Sequence, residues 1–271
     1  MKKSILITGS NSGIGKITAE IFAKNNWNVI ATMRNTQNAG SLADQPNIFI
    51  YEMDVTETDS IQKAKKAITN DFKTIDVIVN NAGFGCYGAF EPTKESDIDL
   101  QIAVNIKGVM MVTKVFLSHF RKNKNGLFIN ISSIAGLITY PLASMYVCSK
   151  WAVEGFTESI FYELKPLGIR VKLVEPGGFK TNFQQKGIIW SHDENMLEYI
   201  EPTEKLKAIR NQRQESLPDP IAVAQKILEA ANDDSDRLRY LVGADAHELM
   251  EKRLEKGSEA FVNSIYQNYM K

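Results

Sequence analysis

Seven short apolar runs, separated by helix-length amphipathic stretches, leave few folds open to this chain. The runs lie at 4–8 (SILIT), 28–32, 48–51, 75–79, 127–131, 169–174 and 239–242. Between them, 13–25, 57–72, 96–122, 144–165 and 219–231 carry apolar residues at helical spacing. Short, continuous β-rich runs read as strands buried on both faces, and helices must then cover both faces. The expected class is α/β: a doubly wound parallel sheet with helices on both sides. No Pro- or Ser-rich linker, repeat or low-complexity tract interrupts the pattern, so residues 1–271 read as a single domain. One stretch, about 182–217, is charged with scattered aromatics, and we expect a lid or specificity loop there. The tail 244–271 reads as amphipathic helix, with Leu249, Leu254, Phe261, Ile265 and Tyr269 available for packing.

Directly after the first strand comes Thr8-Gly9-Ser10-Asn11-Ser12-Gly13-Ile14-Gly15, opening a helix. Glycines at such a turn let the backbone bend tightly and approach a pyrophosphate. The helix N-terminus adds N–H donors and a positive dipole end. Gly9, Ser12, Gly13, Ile14 and Gly15 are therefore candidate dinucleotide contacts. An acidic residue after the second strand marks an NAD site, where it accepts from the ribose 2′-hydroxyl. Here no Asp or Glu occurs between Glu20 and Asp44, and Arg34 follows the strand. A guanidinium there suits a 2′-phosphate, so NADP(H) is favoured over NAD(H), with Ser12 as a second phosphate contact.

Tyr146 and Lys150 stand four residues apart in a helical stretch, SMYVCSKWAVEGFTESI, and so share a face. A free phenol ionises near ~10 and is a poor acid–base group at neutral pH. A neighbouring ammonium favours the phenolate and draws its pKa toward the working range. Ser132-Ser133 follows the fifth strand, at the sheet end where ligands bind, and a hydroxyl there could hold a carbonyl oxygen against Tyr146. Asn105 falls inside the helix 96–122, where Asn is unfavourable because it competes for backbone hydrogen bonds.

These motifs, in this order and spacing, resemble the short-chain dehydrogenase/reductases: T-G-x-x-x-G-x-G, N-N-A-G, Asn105, Ser133, Y-x-x-x-K and Pro176-Gly177 with Thr181. The likeness covers nearly the whole chain and implies a Rossmann-type fold. It also implies roles. Tyr146 is general acid in reduction and base in oxidation, while Lys150 lowers its pKa and holds the nicotinamide ribose. Ser133 positions the substrate oxygen, and Asn105 anchors a water that links Lys150 to solvent. Asp54 and Val55 after the third strand, and Asn81, Ala82 and Gly83 after the fourth, contact adenine and shape the cleft. Pro176, Gly177 and Thr181 line the nicotinamide end. The helices 96–122 and 144–165 pack against another subunit in a homodimer or homotetramer. More loosely, TMRN, PGGFKTNF and RYLVGADA resemble 17β-hydroxysteroid and retinol dehydrogenase-like members, which does not select a steroid. Phe84, Tyr87, Leu137, Tyr140, Phe179, Phe183, Ile188 and Trp190 are candidates for the wall of a pocket taking a small to medium apolar alcohol or carbonyl.

Lys+Arg and Asp+Glu each total 32, so no global field draws the chain to nucleic acid or anionic membrane. No uninterrupted apolar run reaches membrane-spanning length. The opening MKKSILIT is expected to be strand rather than a leader. Cys86 and Cys148 suit reduced thiols in a cytoplasmic protein, and the three histidines have no metal-ligand spacing. The leading expectation is an NADP(H)-dependent oxidoreductase. Two others compete: a catalytically silent NADP(H)-binding regulator of the same fold, and a methyltransferase with a similar glycine turn, which would need no Tyr146–Lys150 pair.

Overall fold

Residues 2–181 and 187–270 are described by the structure, a computed structural model. All seven expected strands form one parallel sheet: β1 (Ser4–Thr8), β2 (Asn28–Met33), β3 (Ile48–Glu52), β4 (Val77–Asn80), β6 (Gly126–Ile131), β7 (Ile169–Pro176) and β9 (Arg239–Val242). Their order across the sheet is β3-β2-β1-β4-β6-β7-β9. The chain therefore builds outward from β1 to β3, returns to pair β4 with β1, and then builds outward the other way. That reversal leaves a crevice beyond the carboxyl ends of β1 and β4, where ligands bind in open sheets of this kind.

Side chains alternate between the two faces because the strand period is two. Ile5, Ile7, Val29, Val79 and Ile129 pack one way, against Ala19 and Phe22 of α1 (Gly13–Lys24) and Val223 and Ile227 of α7 (Ile221–Asn232). Leu6, Ile30, Ile78 and Phe128 pack the other way. There they meet Ile61 and Ile68 of α2 (Thr58–Asp71) and Phe116 and Phe120 of α4 (Val109–Asn123). Each such fully buried side chain contributes about 1.5–3 kcal/mol.

The expected helix 96–122 is α3 (Glu95–Ile102) joined to α4 through a π-helical turn, Ala103–Gly108. Its whole span, Glu95–Asn123, has the length and composition of a membrane-crossing segment. Here one face of it instead covers the sheet through Val112, Phe116 and Phe120. The remaining long helix, α5 (Ser144–Leu164), matches 144–165.

Three features depart from the sequence expectation. A parallel ribbon of three-residue strands, β5 (Gly85–Tyr87) and β8 (Ile188–Trp190), sits above the main sheet. Runs so short carry no readable period. The stretch 182–217 contains a helix, α6 (Ile200–Gln214), with Thr203 its one buried residue and thus little apolar patterning to announce it. The tail is two helices, α8 (Ala244–Lys256) and α9 (Ser258–Tyr269), hinged at Gly257 with φ 75°. Phe261 and Ile265 are buried as expected, whereas Leu254 is 70% exposed and packs on nothing in the core.

Candidate active site

The crevice at the β1–β4 reversal opens into a cleft of about 1830 Å³ that runs to α6, α8 and α9. Its floor at one end is the glycine turn. Gly9 and Gly13 adopt φ of 66° and 53°, a region that side chains with a Cβ rarely enter. A Cβ on Gly9 would lie 2.9 Å from Ala82 Cα, and one on Gly15 would lie 2.4 Å from Asn81 Nδ2. Gly13 faces open space, with nothing within 4 Å of a Cβ position. The turn is thus pressed against the β4 loop on one side and open to a ligand on the other. That shape fits a dinucleotide pyrophosphate approaching the backbone closely.

Asn81 ties these loops together. Its amide donates to Thr8 O at 2.8 Å and Gly9 O at 3.2 Å. Thr8 Oγ1 accepts from the backbone N–H groups of Asn81 and Ala82, each at 2.9 Å. The Asn81 side chain therefore holds the cradle's shape. Ser12 precedes α1 in extended geometry and its side chain does not cap the helix, so the first N–H groups face the cleft. Arg34 is exposed at the end of β2 and lines the same cleft, as do Asp54, Val55, Ala82 and Gly83. Asp54 accepts from Thr56 N at 2.9 Å and Thr56 Oγ1 at 2.7 Å, which holds its loop in place.

At the other end of the β-strand crevice, Ser133, Tyr146, Lys150, Pro176, Gly177 and Thr181 line one wall. Ser133 N-caps a short turn, accepting from Ala135 N at 3.1 Å and donating to Pro176 O at 3.3 Å. It also hydrogen-bonds Tyr146. Lys150 is buried, its ammonium 5.7 Å from the Tyr146 ring centre and donating to Ile131 O at 2.9 Å. Tyr146 stacks on Tyr87, with ring centres 5.4 Å apart and planes 26° from parallel.

Burial shifts both the phenol and the ammonium. Burial and the neighbouring Tyr87 hydroxyl hold the Tyr146 pKa above the ordinary phenol range, while Ser133 and the Arg210 guanidinium pull it down. Burial pushes Lys150 itself down to about 8, offset in part by Glu154.

Asn105 falls inside the expected helical span 96–122. It lies in the π-helical turn, a distortion that recurs at functional sites. Its amide donates to Phe84 O at 2.8 Å and Ser149 Oγ at 3.1 Å and accepts from Phe84 N at 3.1 Å. The side chain fastens the residue before β5 to α5, directly behind Gly83 and Phe84 of the cleft. Of the pocket candidates, Phe84, Tyr87, Tyr140 and Phe179 line the cleft. Leu137 packs under α9, and Ile188 and Trp190 lie behind Tyr87. Phe183 lies outside the described residues.

Several residues of the site were not anticipated from sequence. Asp245 accepts from Gly178 N at 2.7 Å and holds the Pro176–Gly178 loop from α8. Glu154 is buried one turn beyond Lys150, facing Arg239 together with Glu175. Glu158 completes that cluster at 2.7 Å. Tyr146, Lys150 and Glu154 repeat every four residues, and that spacing was a signal for Glu154. For Asp245, Arg239 and Arg210 nothing local marked them.

A parallel seven-stranded sheet with a dinucleotide cradle at its reversal and a Ser–Tyr–Lys wall beside it defines an NAD(P)-dependent oxidoreductase. Comparison with known proteins agrees: the short chain dehydrogenase family matches residues 3–190. An uncharacterized oxidoreductase of Schizosaccharomyces pombe is 34% identical over 230 residues, 85% of this chain and 96% of that one. A short-chain dehydrogenase of Streptomyces avermitilis superimposes with a TM-score of 0.83 at 29% identity, covering 100% of this chain and 97% of that one. The NADP-bound structure of ElxO superimposes at 0.73 with 32% identity, covering 89% and 98%. The chain belongs to the short-chain dehydrogenase/reductase family and acts on CH–OH or carbonyl groups of small molecules.

Proposed function

We propose that the protein is an NADP(H)-dependent oxidoreductase interconverting a secondary alcohol and a ketone, or an alcohol and an aldehyde. The observation that supports it is the meeting of Ser133, Tyr146 and Lys150 in one cleft with the glycine cradle. Gly9, Ser12, Gly13, Ile14 and Gly15 would hold the pyrophosphate, Arg34 the 2′-phosphate and Lys150 the nicotinamide ribose. Bound there, the nicotinamide supplies or accepts the hydride. Ser133 donates to the substrate oxygen and fixes it beside Tyr146. In reduction Tyr146 gives its proton to the oxygen as the carbon gains the hydride; in oxidation the phenolate takes that proton back. Burial favours the protonated phenol, so the oxidative rate is expected to climb as pH rises. Asn105 acts as a brace for the β5–α5 junction. A homodimer or homotetramer would cover Leu100, Ile102, Trp151 and Tyr162, which are exposed on α3 and α5.

Tyr146→Phe is the direct test: turnover of carbonyl substrates falls about 10³-fold while NADPH affinity is retained. A variant that keeps most of its rate removes Tyr146 from the chemistry. NADPH binding with no hydride transfer by the wild type across a broad carbonyl panel would favour the silent regulator. For cofactor choice, Arg34→Ala weakens NADPH binding by about 10- to 100-fold and NADH binding far less. Equal losses would show that Arg34 does not read the 2′-phosphate.

A further inference from the structure

The wall of the cleft opposite the glycine cradle carries a charge excess that the chain as a whole does not. The protein is formally neutral. Yet α6 and α8 line this wall with Arg210, Arg213, Lys252 and Lys256 against the two carboxylates of Asp245 and Glu248. Both carboxylates are engaged: Asp245 accepts from Gly178 N, and Glu248 pairs with Lys252. Among these cations Arg210 stands next to the reacting hydroxyl. Its guanidinium carbon lies 4.3 Å over the Tyr87 ring, and Tyr87 stacks in turn on Tyr146. The guanidinium also hydrogen-bonds the Tyr87 side chain, and with five N–H donors in a fixed fork it can take an oxyanion in addition to that bond. Arg213 follows within a turn of the same helix, donating to Tyr269 Oη at 3.0 Å.

We propose that Arg210 anchors an oxyanion of the substrate, which is then an oxo or hydroxy compound bearing a carboxylate or phosphate on a short apolar arm. Leu206 and Ile209 of α6, with Leu249 and Ile265 of the tail helices, supply apolar surface for that arm. The arm is short because one aromatic ring separates Arg210 from Tyr146. This rests on the oxidoreductase reading and replaces a purely apolar substrate with an amphipathic one. Its electrostatics are consistent, since the Arg210 charge already reaches both Tyr87 and Tyr146 and lowers both. The relevant helix is also the one that sequence patterning missed, so the cation was invisible as a site residue until α6 was placed over the ribbon.

The test compares 4-, 5- and 6-oxoalkanoates with their methyl esters and with the matching oxoalkyl phosphonates, using NADPH and either wild type or Arg210→Met. Methionine keeps length and packing over Tyr87 while removing the charge. An acid or phosphonate is preferred over its ester by about 10- to 100-fold in kcat/KM, and Arg210→Met collapses that ratio toward one. The larger of the two anion preferences identifies the oxyanion. Esters used as well as the anions, or a preference that survives Arg210→Met, would overturn the inference. A second measurement needs no turnover: calorimetric titration of octanoate into the NADP⁺-loaded protein, wild type and Arg210→Met. Saturable binding lost in the variant supports the anchor, and absence of binding to wild type overturns it. If no compound turns over but octanoate binds through Arg210, it is the oxidoreductase reading that fails.

Discussion

Along the reversal between β1 and β4 the cleft is made of backbone, whereas under α6, α8 and α9 it is made of side chains. The cradle comes from consecutive residues, Thr8 to Gly15, locked by Asn81 to a loop one strand away. Its wall positions are occupied by glycines that have no room or no allowed conformation for anything larger. The opposite wall gathers Tyr87, Arg210, Asp245 and Ile265 from segments more than a hundred residues apart in places. Backbone geometry constrains residue type severely, and side-chain walls constrain it little. A family can therefore share the first half of the cleft while its members differ in the second.

Substitutions in the two halves should differ accordingly, and the steepest should fall on the cradle. Gly15→Ala places a methyl 2.4 Å from Asn81 Nδ2 and 2.5 Å from Gly9 O, neither of which can retreat without opening the turn. We expect a loss of about 3 kcal/mol by chemical denaturation together with loss of dinucleotide binding. A variant as stable and as tightly binding as wild type would mean that the two loops are not locked as described.

Lys150→Met should go the other way in stability. A lysine pushed down to about 8 disfavours folding below that pH, because the unfolded chain keeps its proton up to about 10.5. The shift corresponds to about 3 kcal/mol, and the lost bond to Ile131 O returns about 1. Net stabilisation near about 2 kcal/mol is expected at pH 7, shrinking as pH climbs through 8 to 10.5, with turnover abolished. No gain at pH 7 would show that the ammonium is better solvated than its burial implies.

A smaller effect belongs to Glu175, pushed up to about 7 by burial and by Glu154. Its unfolded form ionises first as pH rises, so its contribution destabilises between about 4.5 and 7 and is constant above. Glu175→Gln should stabilise at pH 8 and not at pH 4, the gain being reduced by loss of the bond from Arg239 and read from urea midpoints at both values. A pH-independent change would assign the effect to packing. Smallest of all, Leu254→Ser on α8 should shift stability by less than about 0.5 kcal/mol, since this leucine is 70% exposed. A large loss there would reveal that the side chain is covered in solution.

How much could be read in advance follows the same division. The seven strands were legible because burial on both faces forces continuous apolar runs, and the glycine turn because positive φ forces glycine. Tyr146 and Lys150 were legible as a pair, since helical spacing alone sets them on one face. Their electrostatic relation was not, because pKa depends on what surrounds each group: Ile131 O and Glu154 at Lys150, Tyr87 and Arg210 at Tyr146. Asn105 could be singled out as an unfavourable helix residue, but its bracing of Phe84 and Ser149 could not. The ribbon β5–β8 and helix α6 escaped because short or mostly exposed elements carry weak apolar periodicity.

From the amino-acid order alone came the parallel sheet, the dinucleotide turn and the tyrosine–lysine helix face. All of these rest on local rules of period, conformation and burial that act within some twenty residues. Tertiary structure decided which cation stands beside the reacting phenol, what holds the lysine, and which helices close the substrate end. Those depend on side chains brought together across the whole chain, and only folding sets such distances.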